Sequence, residues 1–208
     1  MLAVADISQP LMEADVDADP VRQFAAWFEL AAGAGVRAPE AAALATAATD
    51  GAPSVRMVLI KRSDERGFVF YSNYASRKGR DLAANPRAAL MFHWDPLGRQ
   101  VRIEGAVERI GRDESAAYVR SRPRASQLSA LASPQSRTIG GREVLERRVA
   151  ELAALYDGAQ LPLPDEWGGF RLRAEMYEFW QHRDDRLHDR LRYKRMRDGD
   201  WQLDRLAP

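Results

Sequence analysis

The sequence predicts a mainly β protein with α-helical insertions, its antiparallel strands closing as a barrel. Three observations carry this. Seven or so short apolar or alternating runs are separated by turn residues. Val101, Ile103 and Val107 alternate with Gln100, Arg102 and Glu104, the period of a half-buried strand. Helical stretches stand between the strands, with no internal repeat and no dividing linker, so one sheet curled on itself buries every strand.

The elements follow in chain order. The start is acidic and aperiodic, and reads as a flexible arm over residues 1–18 before a domain over 19–208. Asp19 caps a helix with Pro20 at its first position, and Phe24, Trp27, Phe28, Leu30 and Ala31 recur at helical spacing. Gly33-Ala34-Gly35 ends it. Gly33 to Ala38 fits G-x-G-x-x-A, but it follows a helix and meets Pro39, so it reads as a helix stop. Ala43–Thr49 and Ser54–Arg62 flank the hairpin signal Asp50-Gly51-Ala52-Pro53. Phe68–Ser72 is a third strand. Ser76 caps a short helix that runs to Ala84 and stops at Asn85-Pro86. Ala88–Trp94 and Gln100–Arg109 pair next. Helices are predicted near 112–121 and 141–156, the second burying Val144, Leu145, Val149, Leu152 and Leu155 and closing at Gly158. Strands return at Gly169–Arg173, Met176–Gln181, Arg186–Lys194 and Trp201–Arg205.

Composition narrows the function classes. The 208 residues fit one domain, and 46% hydrophobic against 29% charged residues supply a core. No run approaches the roughly 18 apolar residues of a membrane-spanning helix. Five acids and no base precede Arg22, unlike a secretory or import signal, so a cytoplasmic protein with no membrane partner is expected. The absence of cysteine excludes disulfides, a thiolate nucleophile and Cys-ligated metal. A net charge of +1 builds no broad field for nucleic acid. Only Lys61, Lys78 and Lys194 are lysines against 28 arginines. That bias suits two-pronged phosphate recognition, and equally a GC-rich genome.

His93, His182 and His188 have no metal-motif spacing, and no Walker loop or G-x-S-x-G elbow is present, so a bound organic cofactor is expected to carry any chemistry. Four basic clusters are candidates. Arg56 and Lys61 lie five apart on one strand, so a single site uses both only if the strand bends or its backbone reads the ligand. Ser76-Arg77-Lys78 sits at a helix start, where cations oppose the dipole unless an anion is bound. Arg120 to Ser126, with Tyr118 before it and Gln135-Ser136 beyond, has the hydroxyls and guanidinia of a phosphate loop. In Arg186-Leu187-His188-Asp189-Arg190, a strand would align Arg186, His188 and Arg190 on one face, near Trp180. Solvated surface decoration is the plain alternative for each cluster. Together they describe a pocket for one or two flat, phosphorylated ligands.

The strings RMVLIKR, FYSNYASRKGRDLAANPRAAL, RQVRIEGAVER, SRPRASQ, PQS, LPLPDEWGGFRL, EFWQ, RLHDRLRY and WQLDRLAP resemble the pyridoxamine 5′-phosphate oxidase family, in order from about Asp19 to Pro208. The resemblance implies a split β-barrel homodimer with two FMN sites built at the interface from both subunits. By motif, Arg56, Met57, Val58, Leu59, Ile60, Lys61, Tyr71, Ser72, Gln100, Gln135, Ser136, Trp180 and Arg190 would contact FMN, with Arg77 and Lys78 on its phosphate. Lys61, Tyr118, Arg122 and Ser126 would grip the substrate phosphate, and Arg186 and His188 would lie over the pyridine ring as the catalytic pair. No metal is implied.

The implied reaction oxidises pyridoxamine or pyridoxine 5′-phosphate to pyridoxal 5′-phosphate, with O2 as acceptor and H2O2 as product. One departure stands out. The family's basic N-terminal Arg-x-x-Tyr-like element falls near Ala3 and Asp6 in an acidic arm. Related FMN oxidases of phenazine biosynthesis, acting on dihydrophenazine carboxylates, also lack that basic element; a non-catalytic flavin- or pyridoxal-phosphate-binding protein is a further alternative. The retained trio Tyr118, Arg122 and Ser126 favours a phosphorylated substrate.

Overall fold

Asp19 opens α1 (Pro20–Gly33) by accepting the Val21 N–H at 2.9 Å, and Gly35 at φ 77° turns the chain away. The computed structural model describes residues 9–208. The strands are β1 (Ala41–Ala47), β2 (Pro53–Leu59), β3 (Arg62–Asp64), β4 (Gly67–Asn73), β5 (Arg87–Trp94), β6 (Arg99–Arg109), β7 (Trp167–Gln181), β8 (Asp189–Arg195) and β9 (Trp201–Arg205). The remaining helices are α2 (Arg77–Ala84), α3 (Arg112–Ser121), α4 (Arg124–Ala132) and α5 (Arg142–Leu155).

All the ladders are antiparallel, in the order β2-β1-β5-β6-β7-β4-β3. The fifteen-residue β7 is the pivot: its first part pairs with β4 (Trp167↔Asn73 to Leu172↔Phe68) and its last part with β8 (Met176↔Lys194 to Gln181↔Asp189). Two strands thus share one edge of β7, which splits the barrel. Lys61 closes the other side, its N–H reaching the Val69 carbonyl at 2.8 Å. α1 seals the core: Phe24 meets Phe68 edge-on at 4.9 Å and Phe92 at 5.0 Å, and Trp27 meets Phe179 at 5.1 Å. Burial of such aromatic side chains supplies much of the folding free energy.

Several expectations are corrected. The two strands predicted at 169–173 and 176–181 are one strand, broken in sequence only by the bulge where Glu175 stands opposite the Glu104/Gly105 step. The predicted strand to Arg62 stops at Leu59, and β3 is separate. A helix, α4, fills part of the stretch read as a phosphate loop; Pro123 at its start supplies no capping side chain. In α5 only Leu152 is fully buried, while Val144 and Leu155 are exposed, because this helix packs on a small cluster with Leu128, Ala132 and Leu161. β8 starts at Asp189, so Arg186 and His188 do not lie on a strand, and Arg186 takes the left-handed φ of 63°.

The expected arm is not free from residue 9 onward. The Gln9 carbonyl accepts from Gln181, buried Leu11 donates its N–H to Asp189 at 3.1 Å, and Glu13 pairs with Arg205 at 2.8 Å. Tyr193 donates to the Asp17 carbonyl. Ala3 and Asp6 lie outside the described residues. No helix among the described residues is long and apolar enough to cross a membrane.

Candidate active site

Ten of the expected residues line one cleft of about 220 Å³: Met57, Val58, Leu59, Lys61, Tyr71, Ser72, Lys78, Tyr118, Arg122 and Gln135. β2 ends at Leu59; Ile60 extends its register by donating its N–H to the Glu40 carbonyl, and Lys61 donates to Val69 on β4, so the chain changes partner strand between Arg56 and Lys61. Ile60 is buried in the core and is not among the residues lining the cleft. The guanidinium of Arg56 is engaged inside the fold: it donates to the Thr46 and Ser54 hydroxyls at 2.7 Å and faces Asp81 at 3.7 Å.

α2 delivers the first cation. Ser76 caps it as expected, accepting the Gly79 N–H, and Arg77 is exposed beside the first turn. The Lys78 ammonium donates to Ser72 Oγ at 3.0 Å and Gln135 Oε1 at 2.9 Å, which are themselves hydrogen bonded. It has no carboxylate partner among the described residues. Burial, followed by the Arg56 charge, holds its pKa below the ordinary lysine value. Gln135 is carried by a loop in which Ser136 adopts φ 71°, a conformation that costs a non-glycine residue free energy and tends to cluster at working sites.

Across the cleft Tyr71 stacks on Tyr118 with centroids 3.7 Å apart. Both phenols are pushed above their usual pKa, chiefly by burial, and stay neutral donors near neutral pH. Trp167, buried at the start of β7, lies parallel to both rings, and the Arg122 guanidinium rests 5.1 Å above it. Sequence reasoning did not single out Trp167, since one tryptophan opening an apolar strand reads as core. Arg122 Nη1 is buried without a hydrogen-bond partner. Ser126 lies in the first turn of α4, outside the residues lining the cleft.

The other expected residues gather elsewhere. Gln100 pairs with Trp180, and Trp180 with Arg190, across β6, β7 and β8. His188 packs on Trp180 at 4.7 Å. Its Nδ1 accepts the Arg183 N–H at 3.0 Å, which leaves Nε2 to carry the proton of the neutral ring. The turn from Arg183 to His188 is closed by Arg186 N–H to the Arg183 carbonyl and Leu187 N–H to Asp185. Arg190 is held by Glu178 at 2.9 Å and the Ala207 carbonyl at 2.7 Å. Trp167 and Trp180 stand thirteen residues apart on β7, roughly 40 Å of strand path. One chain therefore presents two separated clusters of the expected residues.

The donor set of the first cluster fits a phosphorylated flat ligand. Two cations without carboxylates, one of them with a buried orphan nitrogen, face a helix start and a wall of parallel rings.

Residues 29–156 match the family described as pyridoxamine 5′-phosphate oxidase, and residues 167–208 match the pyridoxine 5′-phosphate oxidase C-terminal dimerisation region. The chain is 54% identical over 198 residues to a pyridoxine/pyridoxamine 5′-phosphate oxidase of Cupriavidus pinatubonensis, covering 95% of this chain and 93% of that one. It is 52% identical to the protein of the same name from Salinibacter ruber, over the full length of both. Among solved structures, PhzG from Burkholderia lata 383, in complex with tetrahydrophenazine-1-carboxylic acid, superposes with a TM-score of 0.89 at 36% identity, covering 95% of this chain and 98% of that one.

Proposed function

The chain belongs to the pyridoxamine 5′-phosphate oxidase family, and from that premise we propose that it oxidises pyridoxamine and pyridoxine 5′-phosphate to pyridoxal 5′-phosphate, with O2 as acceptor and H2O2 as product. The observation that carries this reading is the pair Lys78 and Arg122, neither neutralised by a carboxylate among the described residues, in one cleft of stacked aromatics. Two such cations suit two phosphate groups, one on the cofactor and one on the substrate.

FMN, when bound, supplies the two-electron acceptor for the C4′ carbon of the substrate and passes the electrons to O2. Lys78, with Arg77 beside the start of α2, holds the FMN phosphate. The stretch Arg56 to Lys61, with Tyr71, Ser72, Gln135 and Ser136, lines its ring and tail. Arg122, Tyr118, Lys61 and Ser126 grip the substrate phosphate, which fixes the substrate without taking part in bond breaking. His188 offers its Nε2–H to a polar substituent of the pyridine, and Arg186 lies over the ring.

A second copy of the chain completes the site. It brings its own Gln100, Trp180, Arg190, Arg186 and His188 to the first copy's cleft. Two sheet features support this. The half-sites are too far apart within one chain, and Val55, Met57, Leu59 and Met91 are exposed on neighbouring strands in register through Ala43 and Ala45. The homodimer thus buries an apolar strip and makes two sites at once.

Anaerobic addition of pyridoxine or pyridoxamine 5′-phosphate to the FMN-loaded protein tests the reading. The flavin band should bleach, recover in air, and leave pyridoxal 5′-phosphate. A second reading has one specific observation behind it, the 36% identity to PhzG over nearly the whole of both chains. A flavin that stays oxidised with both B6 phosphates but bleaches with a dihydrophenazine carboxylate would select that reading. A flavin that responds to neither substrate class would leave a binding protein.

A further inference from the structure

We propose that Trp167 is a positioning residue for phosphate recognition: its indole is the shelf that orients Arg122 while leaving the guanidinium's donors free. The proposal rests on the reading above only in taking the anion that Arg122 meets to be a substrate phosphate.

Trp167 is fixed before any ligand arrives. It begins β7, pairs in register with Asn73, and donates its N–H to the Pro164 carbonyl at 3.1 Å. The residue is 8% exposed, and its ring is parallel to that of Tyr118 within 3°. Arg122 is fixed at its backbone only. It stands between α3 and α4, its carbonyl accepting from Gln127 Nε2 at 2.8 Å. No hydrogen bond or ion pair to a protein acceptor holds the side chain among the described residues, yet Nη1 is buried. The cation–π contact with the Trp167 ring, 5.1 Å from the guanidinium carbon to the ring centroid, is what remains to orient it.

The chemistry favours this arrangement over an ion pair. A carboxylate would orient the guanidinium but occupy its N–H edge and cancel its charge. An aromatic face attracts the cation through its quadrupole and leaves the in-plane N–H groups open, the geometry that two phosphate oxygens need. Arg171, a buried arginine of the same strand, shows the alternative: it is paired with Asp64 and Glu114, so its N–H edge is taken.

The test uses FMN-loaded Trp167→Leu, Trp167→Phe, Arg122→Ala and the double variants. KM and kcat are read with pyridoxine 5′-phosphate, and the Kd of inorganic phosphate is read by calorimetry, independently of turnover. Trp167→Leu should raise KM and the phosphate Kd about tenfold while kcat changes by less than about twofold, the loss of one partly desolvated cation–π contact. Trp167→Phe, which keeps a ring, should lose only about threefold. In the Arg122→Ala background neither substitution should weaken phosphate further. The proposal is overturned if the losses persist unchanged without Arg122, if Trp167→Phe is as damaging as Trp167→Leu, or if kcat falls while KM holds. Should Trp167→Leu not fold, the Trp167→Phe cycle decides alone. A parent protein that binds phosphate with this coupling but oxidises neither B6 phosphate would refute the substrate reading and leave the role of Trp167 standing; a parent that binds no phosphate would overturn the role.

Discussion

The two half-sites hold their charges in opposite ways. Around the cleft, Lys78 and Arg122 are braced by neutral partners, a hydroxyl, an amide and an indole. At the far end of β7, Arg190 is already paired with Glu178, and Arg183 faces Asp189 at 4.0 Å. Lys78 and Arg122 in the cleft are left open to anions, whereas Arg183 and Arg190 at the far end are already matched by carboxylates. Each half also carries one of the two non-glycine residues with positive φ among the described residues, Ser136 at 71° and Arg186 at 63°. Strain is thus distributed to both sides of the site.

Four substitutions or conditions sharpen that contrast, beginning with the largest effect. Arg186→Leu removes an orienting group from the second half, so kcat should fall roughly 100-fold with FMN affinity nearly unchanged; equal losses in a titration and a rate assay would make Arg186 a cofactor anchor instead. Arg122→Ala removes a phosphate contact from the first half, and KM for pyridoxine 5′-phosphate should rise about 30-fold, the worth of a charge-assisted hydrogen bond, with FMN retained.

Lys78 gives the pH dependence. Its pKa is lowered by burial and by Arg56, and a bound phosphate would raise it again. FMN binding should therefore take up a proton, and affinity should fall by up to about tenfold per pH unit as pH rises through the lowered pKa. Stability of the FMN-free protein runs the other way. The unfolded chain holds that proton more tightly, so stability rises with pH between the lowered and the ordinary lysine values. Lys78→Arg should flatten the FMN-binding profile, and an unchanged slope would remove Lys78 from the phosphate site. The smallest effect belongs to Ser136→Gly, which relieves the left-handed backbone and should stabilise the protein by about 1 kcal/mol in a urea titration. A loss of stability there would mean that the Ser136 side chain matters more than its backbone.

Much of this was legible in sequence because its signals are local. Asp19 and Ser76 announce their helices by cap chemistry, and the β1–β2 hairpin by Asp50-Gly51. What escaped depends on partners distant in sequence. α4 has no capping side chain, and its first residues look like a basic loop. The exposed Val144 and Leu155 have the sequence spacing of a core face, yet only Leu152 is fully buried, with Val149 and Ala153 packed at the edge of its cluster. Trp167 gains meaning only when Tyr71 from β4 and Tyr118 and Arg122 from α3 and its C-terminal cap converge on it. The motif strings likewise named residues of both half-sites, but not that β7 holds them apart.

Subunit complementation tests the shared site most directly. Arg122→Ala damages the first half and Arg186→Leu the second, and each homodimer should be nearly inactive at low substrate concentration. A purified heterodimer, with one variant on each chain, assembles one doubly damaged site and one intact site. It should recover about half of the parent activity if each site joins halves from two copies. A heterodimer as inactive as both parents would show that Arg122 and Arg186 serve the same site from one chain, and would contradict the account.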